Sequence, residues 1–341
     1  ALAEAGEILI DAALHAELGP AVETRDLGER SLKGFDHPIR IRRLERIRTG
    51  TPAAPTSPLI GRTAELAQLL AAAPAARDEG AGSVFVLRGE PGIGKTRLIE
   101  EVQRRLADDG FSAHRGLFLN FGAEIARDAI RVIMRGLAGL TDEALPQTCA
   151  QFAATFARDA GRGPRFHIAI GDLIDAPTPP DLKAVQAALD AEAQAEGLRD
   201  GIDALLRRSC ANRPRLIVLE DVHWAPDAAL PLIAHLASVV PNEHCILVMT
   251  TRPDSGPFAR SSPSADILAT MIDLAPLRDR DAETLARARL ADAPDLAEAC
   301  VRRAEGNPLF LEQLLRAAAS GSEALPSTLQ QVVLSRVDAL A

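Results

Sequence analysis

The sequence predicts an α/β fold in which a parallel β-sheet is covered by helices on both faces. Three apolar runs, at residues 84–87, 216–219 and 245–249, have the length of strands and lack a polar face. Stretches with helical spacing of apolar residues separate these runs. Strands that are apolar on both faces are typical of parallel sheets, because helices cover such sheets on either side.

Composition and length favour a globular protein of two or three domains. The chain has 341 residues, of which 47% are hydrophobic. Its 38 basic and 47 acidic side chains give a net charge of 38 − 47 = −9, which argues against a protein that coats nucleic acid. No apolar run is long enough to span a membrane. The four cysteines lie far apart, so we expect reduced thiols and a cytoplasmic location.

Residues 1–48 are expected to form a helix followed by a pair of strands. Apolar residues have helical spacing over 9–18, and Gly19-Pro20 ends that helix. Beyond a polar turn, apolar residues alternate with arginines over 39–42, as in a half-buried strand. The five arginines between positions 40 and 48 are interpreted as a solvated strand face rather than a nucleic-acid patch.

A change of composition marks residues 49–58 as a linker, since they are rich in Pro and lack large apolar side chains. Residues 59–277 then carry the alternation of an α/β core, and residues 278–324 are predicted to be helical. Helices of the core are predicted at residues 64–76, 96–106 and 227–239, with a mostly helical stretch over 123–210.

The chain starts without Met in sequence typical of a domain interior, so we interpret it as a piece of a longer polypeptide.

A phosphate-binding motif follows the first apolar run directly. Residues 89–96 match the pattern G-x-x-x-x-G-K-[ST] between a strand and a helix. In such a P-loop, backbone N–H groups and the helix N-terminus surround phosphate oxygens, a lysine reaches the β- and γ-phosphates, and a hydroxyl ligates Mg²⁺. The predicted binding residues are Gly89, Glu90, Pro91, Gly92, Ile93, Gly94, Lys95 and Thr96.

An acidic pair, Glu220 and Asp221, ends the second apolar run. Open α/β sheets bind ligands at the carboxyl ends of their strands, so this pair is expected beside the P-loop. One carboxylate can hold Mg²⁺ and the other can orient or deprotonate the attacking water. We assign Glu220 and Thr96 to the metal, and both acidic residues to catalysis.

Two further polar positions have open interpretations. Arg252 ends the third strand run after two threonines, and is either a γ-phosphate sensor or an ordinary surface arginine. The sequence Gly306-Asn-Pro308 interrupts the later helical region, and is either a turn between helices or a turn that touches the nucleotide base.

The residues that follow the acidic pair are given structural roles. His223 has no second His or Cys at metal-ligand spacing, so a zinc site is not expected there. Trp224 is expected to pack the loop rather than to stack on a base. Asp227 is predicted to be the N-cap of the next helix, and Pro231 to lie in its first turns.

From Pro58 onward the sequence resembles the Orc1-like AAA ATPases, a branch of the signal-transduction (STAND) P-loop ATPases. Besides the P-loop, the resemblance rests on Leu-Ile-Gly-Arg at 59–62, Leu-Glu-Asp-Val-His-Trp-Ala at 219–225, Thr-Thr-Arg-Pro at 250–253 and Gly-Asn-Pro-Leu-Phe at 306–310. The stretch Leu-Pro-Ser-Thr-Leu-Gln at 325–330 resembles the start of the family's winged-helix domain, which residues 325–341 would begin.

The resemblance implies roles for four residues. Gly61 and Arg62 would lie beside the adenine, Arg252 would act as a sensor, and Pro308 would close a helical lid over the nucleotide. Glu220 stands where the family often has Asp, and its longer side chain is consistent with slow hydrolysis. Thr63 replaces a glutamate that commonly follows the Gly-Arg pair.

Residues 1–47 resemble the carboxyl-terminal end of a class III adenylate/guanylate cyclase domain. The matching stretches are residues 6–10, 26–30, 32–35 and 38–41. The metal-binding aspartates and the Asn/Arg pair of such domains would precede Ala1, so cyclase activity is not expected of this chain. The resemblance implies a fusion in which an ATPase module regulates its neighbours.

These inferences predict an ATP- and Mg²⁺-binding, slowly hydrolysing switch module of a bacterial signal-transduction protein, in which the γ-phosphate sets the angle of the lid. The alternatives are the ATPase module of a DNA-binding transcriptional regulator, or part of an active cyclase whose catalytic residues lie upstream. The expected partners are a nucleotide and either another protein or a second ATPase module. Neither a membrane nor nucleic acid is expected as a partner.

Overall fold

A computed structural model describes residues 7–19, 22–30, 38–47, 59–118, 128–141, 144–253 and 268–319. These residues belong to two compact units, one within residues 7–47 and one within residues 59–319. The predicted linker at 49–58 and the predicted start of a winged-helix domain at 325–341 lie outside the described residues.

The first unit is a three-stranded antiparallel sheet with one helix. Its elements are β1 (Leu9–Asp11), α1 (Ala12–Leu18), β2 (Val22–Arg30) and β3 (Ile39–Ile47), and the strand order is β1-β3-β2. The prediction of a helix from residue 9 was wrong at its start. The Asp11 side chain accepts a hydrogen bond from the Leu14 N–H at 2.7 Å, and this cap begins the helix only after β1 has paired with β3.

Three arginines of β3 have local acidic partners. Arg40 and Arg42 both pair with Asp26 of β2, and Arg43 pairs with Glu7. Cross-strand pairs of opposite charge stabilise the exposed face of a sheet.

The second unit contains a five-stranded parallel sheet, which confirms the predicted fold class. Its strands are β4 (Ser83–Arg88), β5 (Ser112–Leu117), β6 (Arg215–Glu220), β7 (Cys245–Thr251) and β8 (Thr270–Asp273). They are arranged in the order β5-β6-β7-β4-β8, and every neighbouring pair is parallel. The three predicted strand runs are therefore the three interior strands.

Helices cover both faces of this sheet. The α-helices described in this unit are α2 (Thr63–Leu70), α3 (Lys95–Asp108), α4 (Asp128–Ala138), α5 (Pro146–Asp159), α6 (Pro164–Ile174), α7 (Lys183–Ala187), α8 (Ala191–Cys210), α9 (Leu230–Val239), α10 (Asp279–Arg289), α11 (Pro294–Ala304) and α12 (Pro308–Ala319). Alternate strand residues enter two separate cores: Val84 and Val86 pack with α4, α5, α6, α8 and α9, whereas Phe85 and Leu87 pack with α2 and α3. This period of two explains why the interior strands lack a polar face.

Two strands of the parallel sheet were not predicted. Both β5 and β8 form edges of the sheet as far as the described residues show, with a neighbouring strand on one side alone. They are accordingly less apolar: β5 reads Ser-Ala-His-Arg-Gly-Leu, and three of the four residues of β8 are exposed. An edge strand therefore gives a weaker apolar signal than an interior one.

Two helix predictions need correction. The helix predicted over 64–76 ends at Leu70, and a separate π-helical turn, Ala75–Glu79, follows. Pro74 lies between them and lacks the N–H that would continue the helical hydrogen-bond pattern to the carbonyl of Leu70. Asp227 is not an N-cap: α9 begins at Leu230 with Ala229 in the cap position.

In the part of the chain that the structure describes, no helix is both long enough and apolar enough to cross a membrane.

We expect His114 to make the stability of the second unit depend on pH. Burial and the nearby charge of Arg215 lower its pKa to about 4, and an Arg215 N–H lies 3.4 Å from Nε2. The unfolded pKa is about 6.5, so the neutral ring stabilises the fold above that pH and the contribution is lost as the pH falls toward 4. We expect a loss on the order of 2–3 kcal/mol, measured by urea unfolding. In His114→Gln this dependence should be absent; equal pH slopes in both proteins would contradict it.

Candidate nucleotide-binding site

The P-loop occupies the turn between β4 and α3. Gly92 and Gly94 have φ angles of 78° and 98°, in the left-handed region that glycine adopts without strain. Gly94 is the N-cap residue and α3 begins at Lys95, so the loop ends on the free N–H groups of a helix. This is the geometry that binds anions at helix N-termini.

The Lys95 side chain lies along the loop itself. Its Nζ donates hydrogen bonds to the carbonyls of Gly89, at 2.7 Å, and Glu90, at 3.1 Å. Burial lowers the pKa of Lys95, the charge of Asp221 acts in the opposite direction, and Arg252 lowers it further. The P-loop, the acidic pair and Arg252 therefore lie within electrostatic reach of one ammonium group.

Glu220 lies at the carboxyl end of β6 with only 5% of its surface exposed. Its Oε2 accepts a hydrogen bond from the Thr96 hydroxyl at 3.0 Å. Its Oε1 accepts one from the guanidinium of Arg115 on β5. The structure thus brings together the two side chains that the sequence assigned to the metal.

Arg115 is a site residue that sequence reasoning missed. It lies on an edge strand with no clear pattern, and it reaches Glu220 because β5 is the neighbour of β6. A buried carboxylate requires a partner of opposite charge, and Arg115 provides it here.

The side chains present fit a magnesium ion. Thr96 and Glu220 offer a hydroxyl and a carboxylate oxygen, the ligand type that Mg²⁺ prefers. Within the described ranges, no group of three or more His, Cys, Asp and Glu residues converges on a common point. Mg²⁺ in nucleotide sites is held by one or two protein oxygens together with phosphate and water, so such a group is not required.

Asp221 has a strained but anchored backbone. Its φ is 53°, in the left-handed region, and its N–H donates to the Thr250 hydroxyl of β7 at 2.9 Å. The side chain is 41% exposed, unlike that of Glu220. The two neighbouring carboxylates are therefore differently placed, one buried against Thr96 and the other open to solvent.

Arg252 lies over an aromatic ring. Its guanidinium carbon is 5.3 Å from the centre of the Trp224 ring, a cation–π distance. Trp224 in turn packs against His223, with ring centres 4.9 Å apart. Trp224 also lies at the edge of the larger core, in agreement with the packing role expected for it.

Arg62 contacts the P-loop, whereas Gly61 lies against Leu277 and Asp281. The Arg62 side chain is buried, and its Nη2 donates to the carbonyls of Ile93, at 3.0 Å, and Ala275, at 2.7 Å. A Cβ on Gly61 would lie 2.9 Å from the Leu277 side chain, so only glycine fits there without a shift. Arg62 therefore joins the P-loop to the segment that leads into α10.

The first turn of α12 contacts the P-loop directly. The Asn307 side-chain amide donates to the Pro91 carbonyl at 3.0 Å, and the Leu309 N–H donates to the Gly92 carbonyl at 3.2 Å. Asn307 also caps α12, because its Oδ1 accepts from the Phe310 N–H. Pro308 lies beside the loop, since a Cβ on Gly94 would be 3.9 Å from its Cγ.

A family model described as the AAA ATPase domain matches residues 58–249. The chain belongs to this family. The matched span contains the P-loop and the acidic pair but ends before Arg252 and Pro308. AAA ATPases bind ATP together with Mg²⁺.

A relative of this AAA ATPase domain occurs in Rhizobium meliloti (strain 1021), in a protein named only as uncharacterized. The two are 28% identical over 305 residues, and the alignment covers 84% of this chain. The chain spans 28% of the length of that relative.

Several solved structures are similar to this chain. A STAND protein with a tetratricopeptide repeat sensor from Pyrococcus horikoshii is 15% identical with a TM-score of 0.42, over 83% of this chain and 34% of that one. The Aeropyrum pernix Orc1 protein, in complex with DNA, is 18% identical with a TM-score of 0.42, over 82% and 66%. Drosophila ORC bound to DNA is 16% identical with a TM-score of 0.47, over 85% and 63%.

Replacement of Arg62 tests its contacts below the P-loop. Arg62→Gln should lower the free energy of unfolding by about 2–4 kcal/mol, because two carbonyls lose a charged donor and a buried position is left poorly filled. The measurement is chemical unfolding of the whole chain. Arg280→Gln is the control, since 76% of that side chain is exposed. Equal stability of both variants would contradict the role assigned to Arg62.

Proposed function

We propose that residues 59–319 bind ATP together with Mg²⁺, hydrolyse the ATP slowly, and act as a nucleotide-dependent switch in a signal-transduction protein. The observation that carries this proposal is the pair of hydrogen bonds from the start of α12 to the carbonyls of Pro91 and Gly92. Each of these carbonyls shares a peptide unit with an N–H of the phosphate-binding loop. A conformational change in that loop therefore alters the hydrogen bonds of α12 directly.

Phosphate binding requires the loop to exchange internal contacts for ligand contacts. The N–H of Ile93 donates to the Glu90 carbonyl, and Lys95 Nζ donates to the Gly89 and Glu90 carbonyls. In the proposed complex these donors turn toward phosphate oxygens, which accept stronger, charge-assisted hydrogen bonds than a carbonyl does. The N-terminus of α3 adds favourable electrostatics for the anion.

Thr96 and Glu220 are the residues that would hold the magnesium ion. When bound, Mg²⁺ neutralises charge on the phosphate oxygens. Glu220 already lies against Thr96, so the carboxylate is oriented before the ion arrives. The charge of Arg115 on the other carboxylate oxygen competes with the ion for Glu220, which favours weak binding and slow turnover.

Hydrolysis also requires a group that orients water. Asp221 is proposed for this role, because its carboxylate is solvent-accessible and its backbone is anchored to Thr250. Arg252 is proposed as the γ-phosphate sensor. Its present position over Trp224 leaves it within electrostatic range of Lys95.

The signalling context of the proposal rests on sequence resemblance. Residues 1–47 resemble the end of a cyclase domain, and the ATPase motifs resemble those of the STAND branch. A switch attached to a cyclase is the arrangement that both resemblances favour. The helices α10–α12 would transmit the nucleotide state as a movement relative to the α/β core.

Lys95→Ala tests nucleotide binding. Loss of charge-assisted contacts worth on the order of 1.5–3 kcal/mol each should weaken ATP affinity at least about tenfold. The measurement is calorimetric titration with ATP and Mg²⁺. Lys183→Ala is the matched control, because Lys183 is an exposed lysine on α7. A folded Lys95→Ala variant with unchanged affinity would rule out binding through the P-loop.

A pair of substitutions tests the division of roles in the acidic pair. Asp221→Asn should leave ATP affinity nearly unchanged and reduce single-turnover hydrolysis roughly a hundredfold, the scale of a general base. Glu220→Gln should instead weaken the Mg²⁺ dependence of ATP binding. If Glu220→Gln loses hydrolysis and Asp221→Asn weakens the Mg²⁺ dependence, the two roles are exchanged. If both variants hydrolyse ATP at the normal rate, the acidic pair has no role in hydrolysis.

A further inference from the structure

His223 is a buried titratable group to which the proposed function gives no task. Its side chain is 3% exposed, and neither ring nitrogen has a hydrogen-bond partner among the described residues. A buried polar atom without a partner typically costs about 1–3 kcal/mol. An apolar ring at this position would avoid that cost, so packing alone does not account for a histidine here.

The carboxylate of Asp221 lies close to the His223 ring. Its Oδ1 lies 4.0 Å from His223 Nδ1, just beyond hydrogen-bond distance. Among the described residues, both hydrogen bonds of Asp221 are made by its backbone: the N–H donates to the Thr250 hydroxyl, and the carbonyl accepts from the Trp224 N–H at 2.9 Å. A small rotation of the exposed carboxylate is therefore sufficient to bring the two side chains together.

Three charged groups face the imidazole: Asp221 from its own loop, Arg252 from the end of β7, and Lys95 from the start of α3. Burial lowers the pKa of His223, and both cations lower it further, whereas Asp221 acts in the opposite direction. A neutral ring carries one N–H and one acceptor nitrogen. Such a ring can donate to a carboxylate without neutralising it, so Asp221 keeps its ability to accept a proton.

We propose that His223 is a positioning residue for Asp221. When Mg²⁺ and ATP occupy the site, His223 donates a hydrogen bond from Nδ1 to the Asp221 carboxylate. This inference rests on the proposed function and adds a residue to it. The hydrogen bond fixes the carboxylate in the direction of the attacking water. Nucleotide binding causes this hydrogen bond to form, because the phosphate draws Lys95 away from the loop carbonyls and changes the charges around Asp221.

Two substitutions separate positioning from packing. His223→Phe keeps a planar ring but removes both nitrogens, and His223→Asn places an amide N–H near the position of Nδ1. We expect His223→Phe to keep ATP affinity within about twofold and to unfold at the same or a higher temperature, while single-turnover hydrolysis falls at least tenfold. His223→Asn should recover part of that loss. His235→Asn is the control, since His235 pairs with Asp203 away from the site.

The tautomer of His223 gives a readout that does not depend on hydrolysis. The imidazole ¹⁵N signals of His223 are assigned by their loss in His223→Phe. With Mg²⁺ and a non-hydrolysable ATP analogue, we expect a hydrogen-bonded Nδ1–H form that is absent without nucleotide. Asp221→Gly should abolish this change, because glycine adopts the left-handed backbone without strain but lacks the carboxylate.

The outcomes distinguish the two proposals. Absence of ATP binding to the unaltered chain in calorimetry would overturn the proposed function itself. Binding with unchanged ¹⁵N signals of His223, or full hydrolysis by His223→Phe, would overturn the positioning role alone. Loss of hydrolysis in His223→Phe with recovery in His223→Asn, together with the nucleotide-dependent tautomer, would support it.

Discussion

The register of three parallel strands determines where the polar groups of the site lie. Leu87 of β4 pairs with Thr250 of β7, and Leu219 of β6 pairs with Met249 of β7. The residues that follow these pairs consequently emerge at one edge of the sheet. A shift of one residue in either pairing would move the acidic pair relative to the P-loop and turn its side chains to the opposite face of the sheet. The contact between Thr96 and Glu220 would then be lost.

Much of this arrangement could be predicted because it is encoded locally. The interior strands must be apolar on both faces, and a phosphate loop needs glycine at positions with positive φ, so both give clear sequence signals. Arg115 and Asn307 were missed for a different reason. Each reaches the site through a neighbour distant in sequence, Arg115 through the pairing of β5 with β6 and Asn307 through the docking of α12. No local pattern encodes such contacts.

Charged groups of both signs surround the acidic pair. The charges of Asp221, Glu90, Glu220 and Arg252 all act on Lys95, and Arg115 pairs with Glu220. The side chains of Lys95 and Arg252 contact uncharged groups, loop carbonyls in one case and an aromatic ring in the other. A phosphate would give both cations a charge-assisted partner, so the site is suited to a highly charged anion.

The stacking of Arg252 on Trp224 has a practical consequence. Trp224 is the only tryptophan in the chain, and the chain contains no tyrosine. Its indole contacts both the guanidinium of Arg252 and the imidazole of His223. Ultraviolet emission from the whole chain therefore originates almost entirely from one ring at the carboxyl edge of the sheet. Movement of Arg252 alters the local electric field on that ring, so the native chain carries its own optical probe of the site.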